Sequence, residues 1–349
     1  MTERVGMLRV LYLCPLGRQH QQWRLQAAPP ELQVTMRRSS EVSADEVVRL
    51  IAEADVLITE RSGVVDQALL SRARRLKLIQ RVGSLYHDID LHAARARGVA
   101  VCVRPILGTI AVAEHLVLQM LALLRRAMPL QQVLRQPPER FLADGPRRTD
   151  EDVFAFNWSG QTRITLLHGK TVGILGFGEI GAELARRLQG WHCRLLYHKR
   201  QRLPVAVEHA LGVAYSEAEQ LLRESDVVVC LLPYSAATDH WLNAERIALM
   251  KRGAFFVEAG SGSVVDEQAL AEAVRSGHLA GASLDTYEWE PIRQDEPLLQ
   301  LTREDPDANV FLLPHVGSCN DITLQGEFHW FYENAVRLMR GEPLVGCVV

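Results

Sequence analysis

One stretch constrains this chain more than any other: residues 169–198, GKTVGILGFGEIGAELARRLQGWHCRLLYH. Residues 172–175 are a short apolar run of the kind that forms a buried parallel strand. Gly176, Phe177, Gly178, Glu179, Ile180 and Gly181 follow without a gap, and Ile180, Leu184 and Leu188 recur at helical spacing. Residues 194–197 read as a second strand. Strand, glycine turn, helix and strand within about 30 residues make a βαβ unit that holds a dinucleotide. Each glycine has its own reason. Gly176 permits the tight turn, Gly178 lets the backbone approach a pyrophosphate, and Gly181 lets the helix pack close to the sheet. The helix N-terminus then offers free N–H groups and a positive dipole end to the phosphates. A GxGxxG alone is weak; this one carries weight because of the strands and helix around it.

A chain of 349 residues has room for two domains. With 48% hydrophobic and 23% charged residues, it has the makings of a large core. A net charge of -3 gives no reason to expect nucleic acid or an anionic membrane as partner. The six cysteines, Cys14, Cys102, Cys193, Cys230, Cys319 and Cys347, contain no CxxC pair. They read as buried free thiols in a reducing compartment, with neither a disulfide nor a metal site. No stretch reads as a membrane span, and residues 1–14 lack a signal-peptide pattern, so a cytoplasmic location is expected. The histidines show no metal-ligand spacing.

Along the chain, strands are expected at 8–13, 34–36, 56–58, 78–80 and 99–103, with helices at 44–53 and 67–73. Such alternation argues for a parallel, doubly wound sheet. Residues 109–128 form a strongly apolar helix, expected to be mostly buried. Residues 136–161 read as an irregular segment whose Phe154, Phe156 and Trp158 are expected to pack on something. Beyond the βαβ unit, strands are expected at 213–215, 226–232, 254–257, 282–284 and 310–313. Helices are expected at 216–223, 244–250, 266–276 and 322–339. The last helix would return to the first domain, so the dinucleotide domain is inserted into the other.

Five segments in fixed order then carry a resemblance: RVGSLYHDIDLHAARARGVAV, TIAVAEH, GKTVGILGFGEIG, GSGSVVDEQALAEAVRSGHLAGASLDTYEWEP and LLPHVGS. Over nearly the whole chain the sequence resembles the D-isomer-specific 2-hydroxyacid dehydrogenases. The resemblance implies an α/β protein of two doubly wound parallel-sheet domains with a cleft between them. A flavodoxin-like substrate domain would comprise 1–110 and 318–349, and an inserted Rossmann domain 111–317. It also implies hydride transfer with a nicotinamide cofactor, a small-molecule hydroxy- or oxo-acid substrate and a homodimer. His315 in LLPHVGS matches the catalytic histidine, and Glu290 in EWEP the acid that favours its protonated form. Imidazole suits the role because its unperturbed pKa lies near neutrality. Pro233, Ala259 and Asp285 fall where the family meets its cofactor.

Two positions depart from the pattern. The family has an arginine where Ser261 stands, and that guanidinium pairs with the substrate carboxylate. Arg104, which precedes Pro105 in a segment that the family places near the nicotinamide, is the best candidate to replace it, unless it is solvated or paired locally. Gly83, Ser84 and Leu85 fall in the loop whose amides meet the substrate acid group. Leu85 replaces a common glycine, and either reshapes the pocket or points into the core. At the end of the second strand, an NAD-specific fold places an acid about 20 residues beyond the glycines. Here that position is His198, followed by Lys199, Arg200 and Arg202. Three cations and no acid favour NADP over NAD. The alternative to an enzyme, raised by Ser261, is a cofactor-binding relative acting as a redox-sensing or interaction protein.

Overall fold

The computed structural model describes residues 7–60, 63–141, 145–322 and 324–349. Their elements run β1 (Leu8–Cys14), α1 (Arg18–Gln26), β2 (Leu32–Arg38), α2 (Ala44–Glu53), β3 (Val56–Thr59), α3 (Gln67–Arg72), β4 (Leu78–Val82), α4 (Leu91–Ala96) and β5 (Ala100–Arg104). Next come α5 (Leu107–Leu124), α6 (Ala127–Val133), β6 (Thr171–Leu175), α7 (Glu179–Leu188), β7 (Arg194–His198), α8 (Val205–Leu211), β8 (Val213–Tyr215), α9 (Ala218–Glu224) and β9 (Val227–Cys230). The rest is α10 (Ala244–Ala248), β10 (Ala254–Glu258), α11 (Glu267–Arg275), β11 (Leu279–Leu284), α12 (Pro297–Glu304), β12 (Val310–Leu312), α13 (Leu324–Trp330) and α14 (Glu333–Arg340). The chain divides into two compact units, Met1–Ile110 with Cys319–Val349, and Ala111–Ser318.

The first unit is built on a parallel sheet in the order β2-β1-β3-β4-β5. This is the flavodoxin-like winding. Strands β3 and β4 are buried at every position, as a parallel strand covered on both faces must be. Helix α1 has almost no apolar stripe. It is held instead by Arg24, buried and 2.7 Å from Glu60, with its guanidinium over Phe328. The C-terminal segment runs beside β5, where Val103 N–H donates to Gly346 and Val348 N–H to Val101. That pairing brings Cys102 and Cys347 together as a disulfide. The expectation of six free thiols is therefore corrected to four, Cys14, Cys193, Cys230 and Cys319.

The second unit carries a seven-stranded parallel sheet, β12-β11-β10-β9-β6-β7-β8. The winding starts at β6, moves out to β8, then returns past β6 to β9: the doubly wound order with its switch point between β6 and β9. Helix starts are signalled locally. Asp266 caps α11 through Ala269 N–H, and Asn243 caps α10 through Arg246 N–H. Helix α5 is long and apolar enough to span a bilayer by length and composition, contrary to the sequence reading. Its Ala113, Leu116 and Met120 are fully buried and its Leu118 is exposed, the pattern of a helix packed in a protein core. It ends at Leu124, before the left-handed Arg126 and the separate α6, rather than running on to 128. The single helix expected at 322–339 is likewise two, α13 and α14; residue 323 lies outside the described residues. Of the three aromatics expected to pack on something, Phe154 and Phe156 stack on each other while 84% and 81% exposed, and Trp158 lies edge-on to Phe141.

At the centre of the second sheet, Gly173 sets how near α9 can come. A Cβ there would lie 2.1 Å from Ser225 Oγ and 2.5 Å from a Leu221 methyl. Gly173→Ala should therefore destabilise the protein by about 1–3 kcal/mol through overpacking, read from urea denaturation. An unchanged midpoint would contradict the close approach of α9.

Candidate active site

The glycine turn between β6 and α7 is shaped by backbone geometry. Gly176 has φ +84°, and a Cβ on it would lie 2.5 Å from the Leu231 carbonyl oxygen. Gly178 precedes α7 with open space where a Cβ would stand. A Cβ on Gly181 would meet the Phe177 ring at 2.9 Å, so this glycine seats Phe177 against the helix. Phe177 is buried against Tyr197, and no side chain caps α7. Uncapped first-turn N–H groups beside an open Gly178 fit a pyrophosphate.

At the end of β7, His198 Nδ1 is 3.0 Å from the Ser216 carbonyl. Arg202 forks onto Glu208 through two 2.8 Å hydrogen bonds and lies over Tyr215. Its charge is thereby matched, which corrects the expectation of three cations ready for a phosphate. Arg200 is exposed and makes no hydrogen bond or ion pair among the described residues. Pro233 is exposed and its carbonyl accepts from Thr238, while Ala259 is buried.

Strands β10, β11 and β12 deliver the remaining groups. His315 follows β12 with φ +53°, a left-handed conformation uncommon outside glycine. Its Nδ1 donates to Glu290 Oε2 at 2.7 Å; a carboxylate only accepts, so the proton on this edge sits on the ring. The other oxygen of Glu290 accepts from Tyr287 N–H at 3.0 Å, which fixes the carboxylate. That Glu290 hydrogen bond is the largest cause raising the His315 pKa above its ordinary value; partial burial opposes it.

Asp285 was expected at the cofactor. Its carboxylate accepts from Val316 N–H at 3.0 Å and Gly317 N–H at 2.8 Å, and His115 Nε2 lies 3.3 Å away. Burial alone would raise Asp285, but His115 and the two amides hold it below the usual carboxylate value. Asp285 thus ties down the loop that carries His315. A Cβ on Gly317 would lie 2.7 Å from its Oδ2, so only glycine allows that grip.

Ser261 Oγ accepts from Tyr234 N–H at 3.2 Å. The loop bearing it is pressed onto the next one: a Cβ on Gly262 would sit 2.0 Å from the Tyr287 carbonyl carbon. Sequence reasoning missed Glu258, the last residue of β10. It is fully buried, and it accepts from Gly260 N–H on one oxygen and from Thr286 N–H and Oγ1 on the other. It therefore ties the Ser261 loop to the Asp285 loop. An acid ending an otherwise apolar strand, AFFVE, was the available signal. Among the described residues, no lysine or arginine forms an ion pair with Glu258, Asp285 or Glu290. A recess of about 600 Å³, walled mainly by apolar side chains, opens beside the His315–Glu290 pair.

The family model for the D-isomer specific 2-hydroxyacid dehydrogenase NAD binding domain matches residues 141–317. Glyoxylate reductase of Pyrococcus furiosus is 33% identical over 302 residues, covering 86% of this chain and 84% of that protein. The chain belongs to the D-isomer-specific 2-hydroxyacid dehydrogenases. Glyoxylate/hydroxypyruvate reductase B of Escherichia coli is also 33% identical, over 86% of each chain. Among solved structures, the PH0520 protein of Pyrococcus horikoshii is 30% identical with a TM-score of 0.55, over 98% of this chain and 95% of that one. As a member of this family, the protein is a nicotinamide-dependent oxidoreductase acting on a hydroxy- or oxo-acid.

The dehydrogenase's first unit holds the other residues singled out by sequence. Gly83 has φ +116° and donates its N–H to the Arg104 carbonyl. Ser84 and Leu85 are buried, Leu85 at 2% exposure. Arg104 is paired with Glu333 and lies over the Trp330 ring at 5.3 Å. Arg104, proposed as the stand-in for the arginine, shares Glu333 with Arg337, and burial and the Arg337 charge lower its pKa.

Burial, the largest influence, pushes Glu258 from 4.5 up to about 7, against its hydrogen bonds from Thr286 and Gly260. Between these values the folded protein keeps a proton that the unfolded chain releases. The stability this gives is complete below pH 4.5 and is lost as pH rises toward 7. At roughly 1.4 kcal/mol per unit, the loss is about 3 kcal/mol. Urea midpoints at pH 5 and 7.5 should show this decline in the wild type and a flatter one in Glu258→Gln. Equal declines would contradict the assignment.

Proposed function

We propose that this protein is an NADP-preferring reductase of 2-oxo acids, with His315 as proton donor and Glu290 as the acid that keeps it charged. The observation that carries the reading is the 2.7 Å Nδ1–Glu290 hydrogen bond on a histidine held in a left-handed turn. Glu290 occupies one edge of the ring, which leaves Nε2 for the substrate oxygen. The ring is 55% exposed, so solvent can return the proton after each turnover. The His315 imidazolium would give its proton to the carbonyl oxygen as a nicotinamide, when bound, supplied the hydride to C2, leaving a 2-hydroxy acid and the oxidised cofactor. The relatives named glyoxylate reductase and glyoxylate/hydroxypyruvate reductase make short 2-oxo acids the first substrates to assay.

Ser261 sets the limit on this chemistry. A serine offers one neutral hydroxyl where a guanidinium would offer two charged donors. Losing one preorganised donor from such a site costs on the order of 3–4 kcal/mol of transition-state stabilisation. Short 2-oxo acids, gripped chiefly by their carboxylate, should therefore be slow substrates. For the cofactor, the absence of an acid at His198 and the exposure of Arg200 support NADP. We also propose a homodimer. Exposed Phe154, Phe156 and Leu118, all in the second unit, supply apolar surface for a second copy.

His315→Ala should lower kcat at least a hundredfold. In the wild type, kcat/KM for reduction should fall as pH rises through the raised His315 pKa, since only the protonated ring donates. Glu290→Gln should move that fall to lower pH; an unmoved profile would separate Glu290 from the chemistry. Arg200→Asp should raise the KM for NADPH about tenfold or more, equivalent to about 1.4 kcal/mol, with far less effect on NADH. Equal effects on both cofactors would contradict the NADP assignment.

A further inference from the structure

The recess beside His315 is lined by Tyr287, Glu290, Pro291, Ile292, Leu299, Leu312, Leu313 and Pro314, with His315 itself at one wall. Its volume of about 600 Å³ falls in the range of small-molecule sites. Apart from the pair, the only polar side chain among the described lining residues is Tyr287, and its hydroxyl is already spent on the Leu313 carbonyl at 2.8 Å. Ile292 and Leu312 rest on the buried core of the second unit. The walls are therefore held apart, with little left to hydrogen-bond a ligand. A site whose reacting pair borders such a recess, and whose cation has become Ser261, draws affinity from apolar contact more than from charge.

We propose that this recess takes the apolar side chain of the substrate, and that the preferred substrates are 2-oxo acids with a branched aliphatic or aryl group at C3. The proposal rests on the reading of His315 as the proton donor. The reacting carbonyl meets Nε2 while the substituent enters between Ile292 and Leu299. Glyoxylate has no side chain and leaves the recess unused. Each methylene that a hydrophobic pocket accepts is worth about tenfold or more in kcat/KM, so the contrast with glyoxylate is large.

The full-length protein should be assayed with NADPH and NADH against glyoxylate, pyruvate, 4-methyl-2-oxopentanoate and phenylpyruvate. The expected result is a kcat/KM for the last two at least tenfold above that for glyoxylate. Leu299→Trp, which fills the recess, should cut the phenylpyruvate-to-glyoxylate ratio at least tenfold. Ile292→Ala, which enlarges it, should lower the 4-methyl-2-oxopentanoate ratio and serves as the second probe if the tryptophan variant does not fold. Glyoxylate reduced as fast as phenylpyruvate, or ratios unmoved in both variants, would overturn the recess while leaving the reductase reading intact. If no 2-oxo acid is reduced, the reductase reading falls, and calorimetry of phenylpyruvate with the NADPH-loaded protein decides the recess. Binding that weakens in the Leu299 variant supports it, and absence of binding overturns it.

Discussion

Parallel strands that end side by side crowd their following loops onto one edge of a sheet, and in the second unit glycine decides how close those loops come. Gly176 and Gly260 both press against Leu231, and Gly262 meets the backbone of Tyr287. Gly317 closes on Asp285 in the same way. A Cβ at Gly262 or Gly176 would drive the loops apart, because the atoms it would strike belong to backbone that cannot rotate aside. Glu258 then ties two of these loops with three hydrogen bonds, and Asp285 ties a third. The geometry of His315 and Glu290 is the outcome of this crowding.

The same crowding sets the electrostatics. Glu290 and Asp285 stabilise the charged form of His315, Glu290 the most through its direct hydrogen bond and Asp285 through space, and Glu258 adds to this once it loses its own proton at about pH 7. A neighbouring guanidinium would have worked against that, and Ser261 does not. The arrangement favours keeping a proton on the imidazole at the expense of gripping a carboxylate. Proton delivery and substrate anchoring are separate functions, and the second can move to apolar contact.

Much of this was legible in the sequence because it was encoded locally. The glycine turn, the apolar strands and the aspartate caps declare themselves within a few residues, and the family's motifs located His315 and Glu290. What was missed depends on distant partners. Helix α1 reads as polar, RQHQQWRLQ, and is seated by Arg24 reaching Glu60 and Phe328 far along the chain. Helices α8 and α12 are short, and their apolar faces are too brief to stand out. The engagement of Arg104 by Glu333, of Arg202 by Glu208 and of Asp285 by loop amides could not be read from residue type, because a charge looks free until its partner is known. The Cys102–Cys347 pairing was hidden for the same reason, as it follows from the tail lying along β5. Glu258 was passed over because a lone acid at the end of a strand usually points to solvent.

The central claim is that this site passes a hydride from a nicotinamide to C2 of an oxo acid. The most direct test is to supply NADPH deuterated at C4, in each stereochemical form, with phenylpyruvate, and to locate the label in the product by mass spectrometry and NMR. The account predicts one deuterium on C2 from one of the two forms and none from the other. Product formed without label from either form, or with the label lost to water, would contradict direct transfer at this site.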